Sequence, residues 1–340
     1  MTSQMQKIVV KSPTRVDLAG GTLDLWPLYN FVDGATTVNV AIDIFTTAEI
    51  TERADGKIEL VSEDLKFQKT FSSLSECLKD SDPMLNLLKL QLKYWQPKKG
   101  FALRTRSDSP VGGGLGGSSS LTVSLLKAFD QFCKEQNGGS RFKSVHHLVH
   151  VAHNIESEVL NTPTGTQDYY PAASGGINIL QYSVDGIEQT VLAHETEELA
   201  KNFLLVYTGK AHQSGMNNFE VMQRSVAKDM TTLGALNQIK AIANETAVAV
   251  KNRAWAKLPD LFRSEFAARV KLAKAFSSPE IDKLAQVSLQ AGADAVKICG
   301  AGGGGCVLVW VSPSACEKVA SACQQAGFQV LAAKPVAPLQ

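Results

Sequence analysis

Through roughly the first sixty residues, apolar and β-branched positions partly alternate with polar ones. KIVVKSP, RVDLAG, ATTVNVAIDIFTTAEITE and GKIELVS read as strands on that pattern. Asp55-Gly56 predicts a hairpin turn joining the last two. A short helix follows over 83–95, then a strand at GFALRTRSD. Apolar spacing changes to the helical period over 118–135, with Leu121, Leu125, Phe129 and Phe132 on one side and Asn137-Gly138-Gly139 as the stop. A second helix over 143–160 puts Val145, Leu148, Ala152, Ile155 and Val159 on one face. Beyond residue 180 the order is an apolar strand (NFLLVYTG), a long helical tract over 213–253 and more helix to 291. The chain then reads strand (AVKIC), glycine turn, strand (CVLVWV), helix (SACEKVASACQQAG), strand (FQVLAAK). That ending predicts a split αβ sandwich, and the whole predicts two α+β lobes parting near 185–200.

Composition narrows the function classes. The 34 basic side chains nearly cancel the 33 acidic ones, so nothing favours nucleic acid or an anionic membrane as partner. Six cysteines are scattered without a CxxC pair, which in a chain of 340 residues points to free thiols in a reducing compartment. The start, MTSQMQKIVVKSPTR, lacks the apolar run of a signal peptide, and no stretch is long and apolar enough for a membrane span. A soluble cytoplasmic protein is the expectation.

The candidate chemistry centres on PVGGGLGGSSS at 110–120. The first turn of a helix has unpaired backbone N–H groups and a dipole that favours an anion. Glycines ahead of that turn let the backbone close around phosphate oxygens, while Ser118, Ser119 and Ser120 can cap the helix or offer a hydroxyl to phosphate or magnesium. The plainer alternative is a flexible glycine turn with a serine cap. A Walker A loop is excluded, since no lysine follows Gly117. Gly112, Gly114 and Gly117 formally match the dinucleotide fingerprint, but the serines and the β-rich first half disfavour that fold. A second cluster, KICGAGGGGC at 297–306, is either a tight strand connection or a backbone wall against a ligand.

Four segments in order resemble the GHMP kinases, the family of galactokinase, homoserine kinase, mevalonate kinase and phosphomevalonate kinase. They are TRVDLAGGTLDLWP at 14–27, PVGGGLGGSSS, GTQDYYPAASGG at 165–176 and KICGAGGGGC. The resemblance implies a two-lobed α+β fold, with a ribosomal-protein-S5-like N-terminal lobe over 1–190 and a ferredoxin-like C-terminal lobe over 191–340. It implies ATP with Mg2+, the phosphates lying against Gly112, Gly113, Gly114, Leu115, Gly116, Gly117, Ser118 and Ser119. Gly117 replaces the first serine of the family's usual GLGSS and the second lands on Ser118, so the resemblance puts the magnesium-side hydroxyl on Ser118, with Ser119 as the alternative. Glu156 occupies the place of the magnesium carboxylate, and Glu158 points elsewhere around the helix. Asp168 corresponds to the residue that receives the acceptor's proton, with a helix cap as its alternative role. Arg15 corresponds to the basic residue beside it, a surface ion pair being the alternative.

The acceptor side resembles the branch containing heptose 7-phosphate kinase and the fucokinase domain. Gly21 and Thr22 stand where galactokinase has a glutamate–histidine pair, and Asp24 remains to accept hydrogen bonds from sugar hydroxyls. Asp17 and Gly303 complete the expected substrate-binding set, with a structural role on its strand as the alternative for Asp17. Lys210, His212 and Ser214 read either as a pocket for an anionic substituent or as an ordinary exposed loop. His146, His147, His150 and His153 crowd one helix without a completing ligand and read as surface or interface histidines. The expected partner is a sugar or sugar phosphate, with an isoprenoid-pathway kinase or a non-catalytic sensor as the competing readings. Oligomeric state is open.

Overall fold

The strands β1 (Lys7–Ala19) and β2 (Ala35–Arg53) change character along their length, and that change positions the site. The N-terminal part of β1 alternates exposed and buried residues, whereas Ser12 to Ala19 is buried throughout. Antiparallel β2 mirrors it, buried from Ala35 to Ile42 and alternating beyond. One end of the pair is therefore a half-solvated sheet, and the other is covered on both faces. The cover comes from the helices Gly117–Phe132 and Met230–Lys251, both packed on these strands. Register shifts at Pro13/Thr14 and Asp17/Ala19 bend β1 where it enters the covered end.

This computed structural model describes residues 7–192, 196–211, 214–273, 276–300 and 302–339, with 214–217 as backbone only. The remaining strands of the first sheet are β3 (Ile58–Ser62), β4 (Phe67–Phe71), β5 (Gly100–Ser107), β6 (Ile177–Ser183) and β7 (Gly186–Leu192), in the order β4-β3-β5-β2-β6-β7 with β1 also on β2. The Asp55-Gly56 turn forms, but β2 and β3 are not a hairpin. Strand β5 lies between them, antiparallel to β2 and parallel to β3. A turn motif specifies a local reversal and says nothing about a later strand wedging into the gap. Gly100, at the start of β5, makes the fit possible, since a Cβ there would sit 2.4 Å from the Gly56 carbonyl carbon.

The second sheet is antiparallel, ordered β11-β8-β10-β9, from β8 (Phe203–Tyr207), β9 (Ala295–Ile298), β10 (Cys306–Trp310) and β11 (Gln329–Leu331). The sheets part between Leu192 and Phe203. The helical tract expected over 213–253 is two helices, Ser214–Val226 and Met230–Lys251. Lys228 takes a left-handed φ of 57°, and Asp229 caps the second helix through Thr231 N at 2.9 Å. The segment after β11 returns to the first lobe, where Asp43 N donates to Lys334 O and Val336 N to Ala41 O, both at 2.9 Å. Among the described residues no helix is long and apolar enough to cross a membrane.

Gly100→Val forces a branched side chain into the Gly56 backbone. It is expected to cost about 1–3 kcal/mol, the usual range for overpacking. Urea unfolding should register it as a lower midpoint.

Candidate active site

Alternate glycines of the loop, Gly112, Gly114 and Gly116, take left-handed φ values of 64°, 72° and 70°. Side chains rarely adopt that conformation, so the glycine spacing is a backbone requirement. Gly116 is also the N-cap of the helix Gly117–Phe132 and supplies no capping side chain. The N–H groups of its first turn are thus left for an external anion. The three serines separate cleanly. Ser120 is fully buried and bonds Ser12 O at 2.9 Å and Thr46 Oγ1 at 2.8 Å, tying the helix to the sheet. Ser119 is buried and donates to Glu156 Oε2 at 2.8 Å. Ser118 is exposed at the cleft.

Arg15, on the covered part of β1, binds three other segments. Its Nε donates to Asp168 Oδ1 at 2.7 Å, and its Nη1 donates to Gly114 O and Cys299 O, both at 2.6 Å. Its backbone N–H donates to Leu115 O at 3.0 Å. Burial works against the charged guanidinium, but Asp168 outweighs it and the group is held above its ordinary range. The surface ion pair allowed by the sequence is therefore wrong, since Arg15 is buried. Asp168 does stand at the N-cap position of the helix Tyr169–Ser174, yet its side chain makes no capping bond and turns to Arg15. It also approaches the loop so closely that a Cβ on Gly116 would lie 2.9 Å from its Oδ2.

Glu156 faces the loop from the helix Val145–Leu160. It is buried, and Tyr169 Oη donates to its Oε2 at 2.6 Å. Burial pushes this carboxyl up, partly countered by the hydrogen bonds from Tyr169, Ser118 and Ser119. Glu158 is exposed and 3.8 Å from Lys93. On the same helix His146 bonds the Tyr170 hydroxyl and His153 the Thr164 carbonyl, and His150 bonds Asn154. Among the described residues no group of three or more His, Cys, Asp or Glu gathers around a common point.

These elements frame a cleft of about 480 Å³. One half is the glycine loop with an apolar rim of Leu65, Phe67, Met84, Leu87 and Val111. The other half is polar, with Asp17, Gly21, Thr22, Asp24, Gln167 and Arg269 around Arg15 and Asp168. Asp24 is buried and accepts from Gln167 N at 3.1 Å. Gly165 must be bare to admit it, since a Cβ there would fall 1.9 Å from Asp24 Oδ2. Burial, reinforced by the nearby Asp168 and Asp17 charges, raises the Asp24 carboxyl to about 6. Asp17 goes the other way. Burial raises it, but Lys297, Arg269 and Arg15 together pull it below its ordinary value.

Two expectations need correction. Gly303 does not line the cleft; Gly300 of the same turn does. Gly302, Gly304 and Gly305 instead press against Phe276, Lys210 and Gly113, and Cys306 N donates to Gly113 O at 2.7 Å, so this turn braces the 110–116 glycine loop. Lys210 does not line the cleft either, and pairs with Glu280 at 3.2 Å. His212 lies outside the described residues, as does the side chain of Ser214. Arg269, Gln167 and Asn218 were not anticipated. Arg269 sits in an outwardly ordinary helix, Leu258–Leu272, and only its contacts with Asp17 and Thr22 reveal it. Gln167 had one signal, its place beside Asp168.

The profile of the GHMP kinases N terminal domain matches residues 83–176, and that of the GHMP kinases C terminal domain matches 246–329. Together they take in a little over half of the chain. The chain belongs to the GHMP kinase family. It is 27% identical over 319 residues to D-glycero-alpha-D-manno-heptose 7-phosphate kinase of Campylobacter jejuni, covering 91% of each chain. It is 26% identical over 317 residues to mevalonate kinase of Methanocaldococcus jannaschii, covering 90% of this chain and 92% of that one. The crystal structure of a D-glycero-D-manno-heptose 1-phosphate kinase from Bacteroides thetaiotaomicron superposes with a TM-score of 0.77 at 23% identity, over 98% of this chain and 97% of that one. The two lobes are thus the α+β GHMP kinase fold. As a GHMP kinase, the protein is an ATP-dependent phosphotransferase.

Asp24 makes stability depend on pH. Its folded pKa of about 6 exceeds its ordinary 3.8, so the proton stabilises the fold fully below 3.8 and that contribution disappears as pH rises through about 6. The loss is roughly 3 kcal/mol. Asp24→Asn should flatten this part of the stability curve between pH 4 and 7.5 in urea titrations.

Proposed function

We propose that this GHMP kinase transfers the γ-phosphoryl group of ATP to a hydroxyl of a sugar or sugar phosphate. One observation carries the reading: the Arg15–Asp168 pair stands at 2.7 Å where the glycine loop meets the polar half of the cleft. The first-turn N–H groups after Gly116 would bind the phosphates of ATP, whose base fits the apolar rim. The acceptor hydroxyl donates to the Asp168 carboxylate, which orients its oxygen in line with the γ-phosphorus. As the new P–O bond forms and the bond to the β-phosphate bridging oxygen breaks, the hydroxyl proton passes to Asp168. Arg15 holds that carboxylate in place, and its charge offsets charge gathering on the transferred group.

Ser118 and Glu156 would hold Mg2+. Their oxygen donors suit a hard ion that keeps most of its ligands as water and phosphate, and buried Glu156 makes no ion pair among the described residues. When bound, the ion neutralises phosphate charge. Asp24 and Asp17 supply acceptors for sugar hydroxyls, and Gly21 and Thr22 shape the same wall. A mevalonate-type acceptor is the second reading, prompted by the archaeal mevalonate kinase relative. Five of the six cysteines are buried, in accord with a reducing, cytoplasmic setting.

ADP release should be followed with sedoheptulose 7-phosphate, D-glycero-D-manno-heptose 7-phosphate, fucose, galactose, glucuronate and mevalonate, with phosphorus NMR of the product. Turnover of a sugar or sugar phosphate is expected. Asp168→Asn should cut kcat by about 10²–10⁴-fold while ATP still binds. Turnover of mevalonate alone would move the protein to the second reading. Glu156→Gln should raise the half-saturating magnesium concentration about tenfold or more, measured at fixed ATP.

A further inference from the structure

The polar corner of the cleft holds hydrogen-bond acceptors with nothing to accept. Asp17 Oδ1 and Gln167 Oε1 are buried without a partner among the described residues, and both residues line the cleft. Both are fixed from behind. Asp17 Oδ2 accepts from Lys297 Nζ at 3.0 Å and lies 3.3 Å from Arg269 Nη2. Gln167 is anchored through its backbone, N–H to Asp24 and carbonyl to Asn39 Nδ2 at 3.2 Å. Its amide reaches toward Gly21. A Cβ on Gly21 would meet Asp17 Oδ2 at 2.5 Å and Arg269 Nη2 and Gln167 Nε2 at 3.1 Å, so this glycine clears space where three polar tips converge.

A buried acceptor without a donor is costly, and a hydroxyl supplies a donor whereas a phosphate or carboxylate at neutral pH supplies only more acceptors. Charge points the same way. Arg269 and Lys297 are engaged by Asp17 and Glu265, and Arg15 by Asp168. Asp24 receives only backbone N–H groups, that of Gln167 and its own, among the described residues. Among the described residues of this corner, three cations thus face four carboxylates, and none is left over for an anion.

We infer that Gln167 is a specificity residue: together with Asp17 it accepts hydrogen bonds from neighbouring hydroxyls of the acceptor, and this corner takes an uncharged polyol face while rejecting carboxylate or phosphate. The inference rests on the sugar-acceptor reading above. Any phosphate already on the sugar lies outside this corner.

The test compares wild type with Gln167→Leu on the sugar that is turned over, its monodeoxy analogues and the matching uronate, with ATP affinity measured separately by calorimetry. Wild type should lose about tenfold or more in kcat/KM on the one analogue lacking the hydroxyl that faces Gln167. Gln167→Leu should fall to that same level with the parent sugar and show no additional loss with that analogue. The uronate should be a poor substrate for wild type, and Gln167→Lys should improve it relative to the parent sugar. Equal losses by Gln167→Leu on the parent and every analogue would overturn the inference, as would a uronate that reacts as well as its sugar. Silence of wild type toward every sugar would overturn the sugar reading itself, and the inference with it.

Discussion

The guanidinium of Arg15 is the point at which the chain's separate motifs become one site. It is buried, always charged, and bonded to oxygens of the glycine loop, the turn that follows β9 and Asp168. A charge in that position is tolerable only if its donors are satisfied, because removing a guanidinium from water costs several kcal/mol. The loop must therefore turn its Gly114 carbonyl inward, and its N–H groups are left to face the cleft. The same bonds hold Asp168 against the loop at a distance that leaves no room for a side chain on Gly116. The glycine loop and Asp168 are in this way positioned by a single cation.

Behind it lies a second electrostatic layer. Lys297 and Arg269 reach from the second lobe to Asp17 on the first, with Glu265 closing the group. Removing any one member would strand an opposite charge in the interior, which is far costlier than losing a surface pair. Asp24 makes no ion pair with this group among the described residues, and its raised pKa reflects burial beside Asp168 and Asp17 with only peptide N–H groups donating to it. Two aspartates seven positions apart on one motif thus acquire opposite shifts from what each one touches.

Much of this was readable from the chain. Alternation and apolar runs located most strands, because a residue's own side chain decides whether it suits a pleated, half-buried surface. The glycine loop was legible for a related reason: a left-handed backbone restricts residue type on the spot. What escaped depended on distant partners. Nothing near Asp55-Gly56 foretells that residues 100–107 will separate the strands on either side of it. Arg269 and Lys297 look like ordinary surface cations until carboxylates far along the chain are brought to them. In a run of glycines, sequence cannot say which one faces a ligand, and the structure brings Gly300 to the cleft while others in the run brace neighbouring backbone.

The returning segment near Lys334 and Val336 has a mechanical meaning. It is stitched to Ala41 and Asp43, on the strand that also carries the covered end of the first sheet. Swinging one lobe away from the other as a hinge would break those bonds, strip Arg15 of the Cys299 carbonyl and part Lys297 from Asp17 in the same stroke. So many simultaneous losses make domain opening a poor route for exchanging substrates. A hinge motion wide enough to admit a substrate would have to break all of these bonds together.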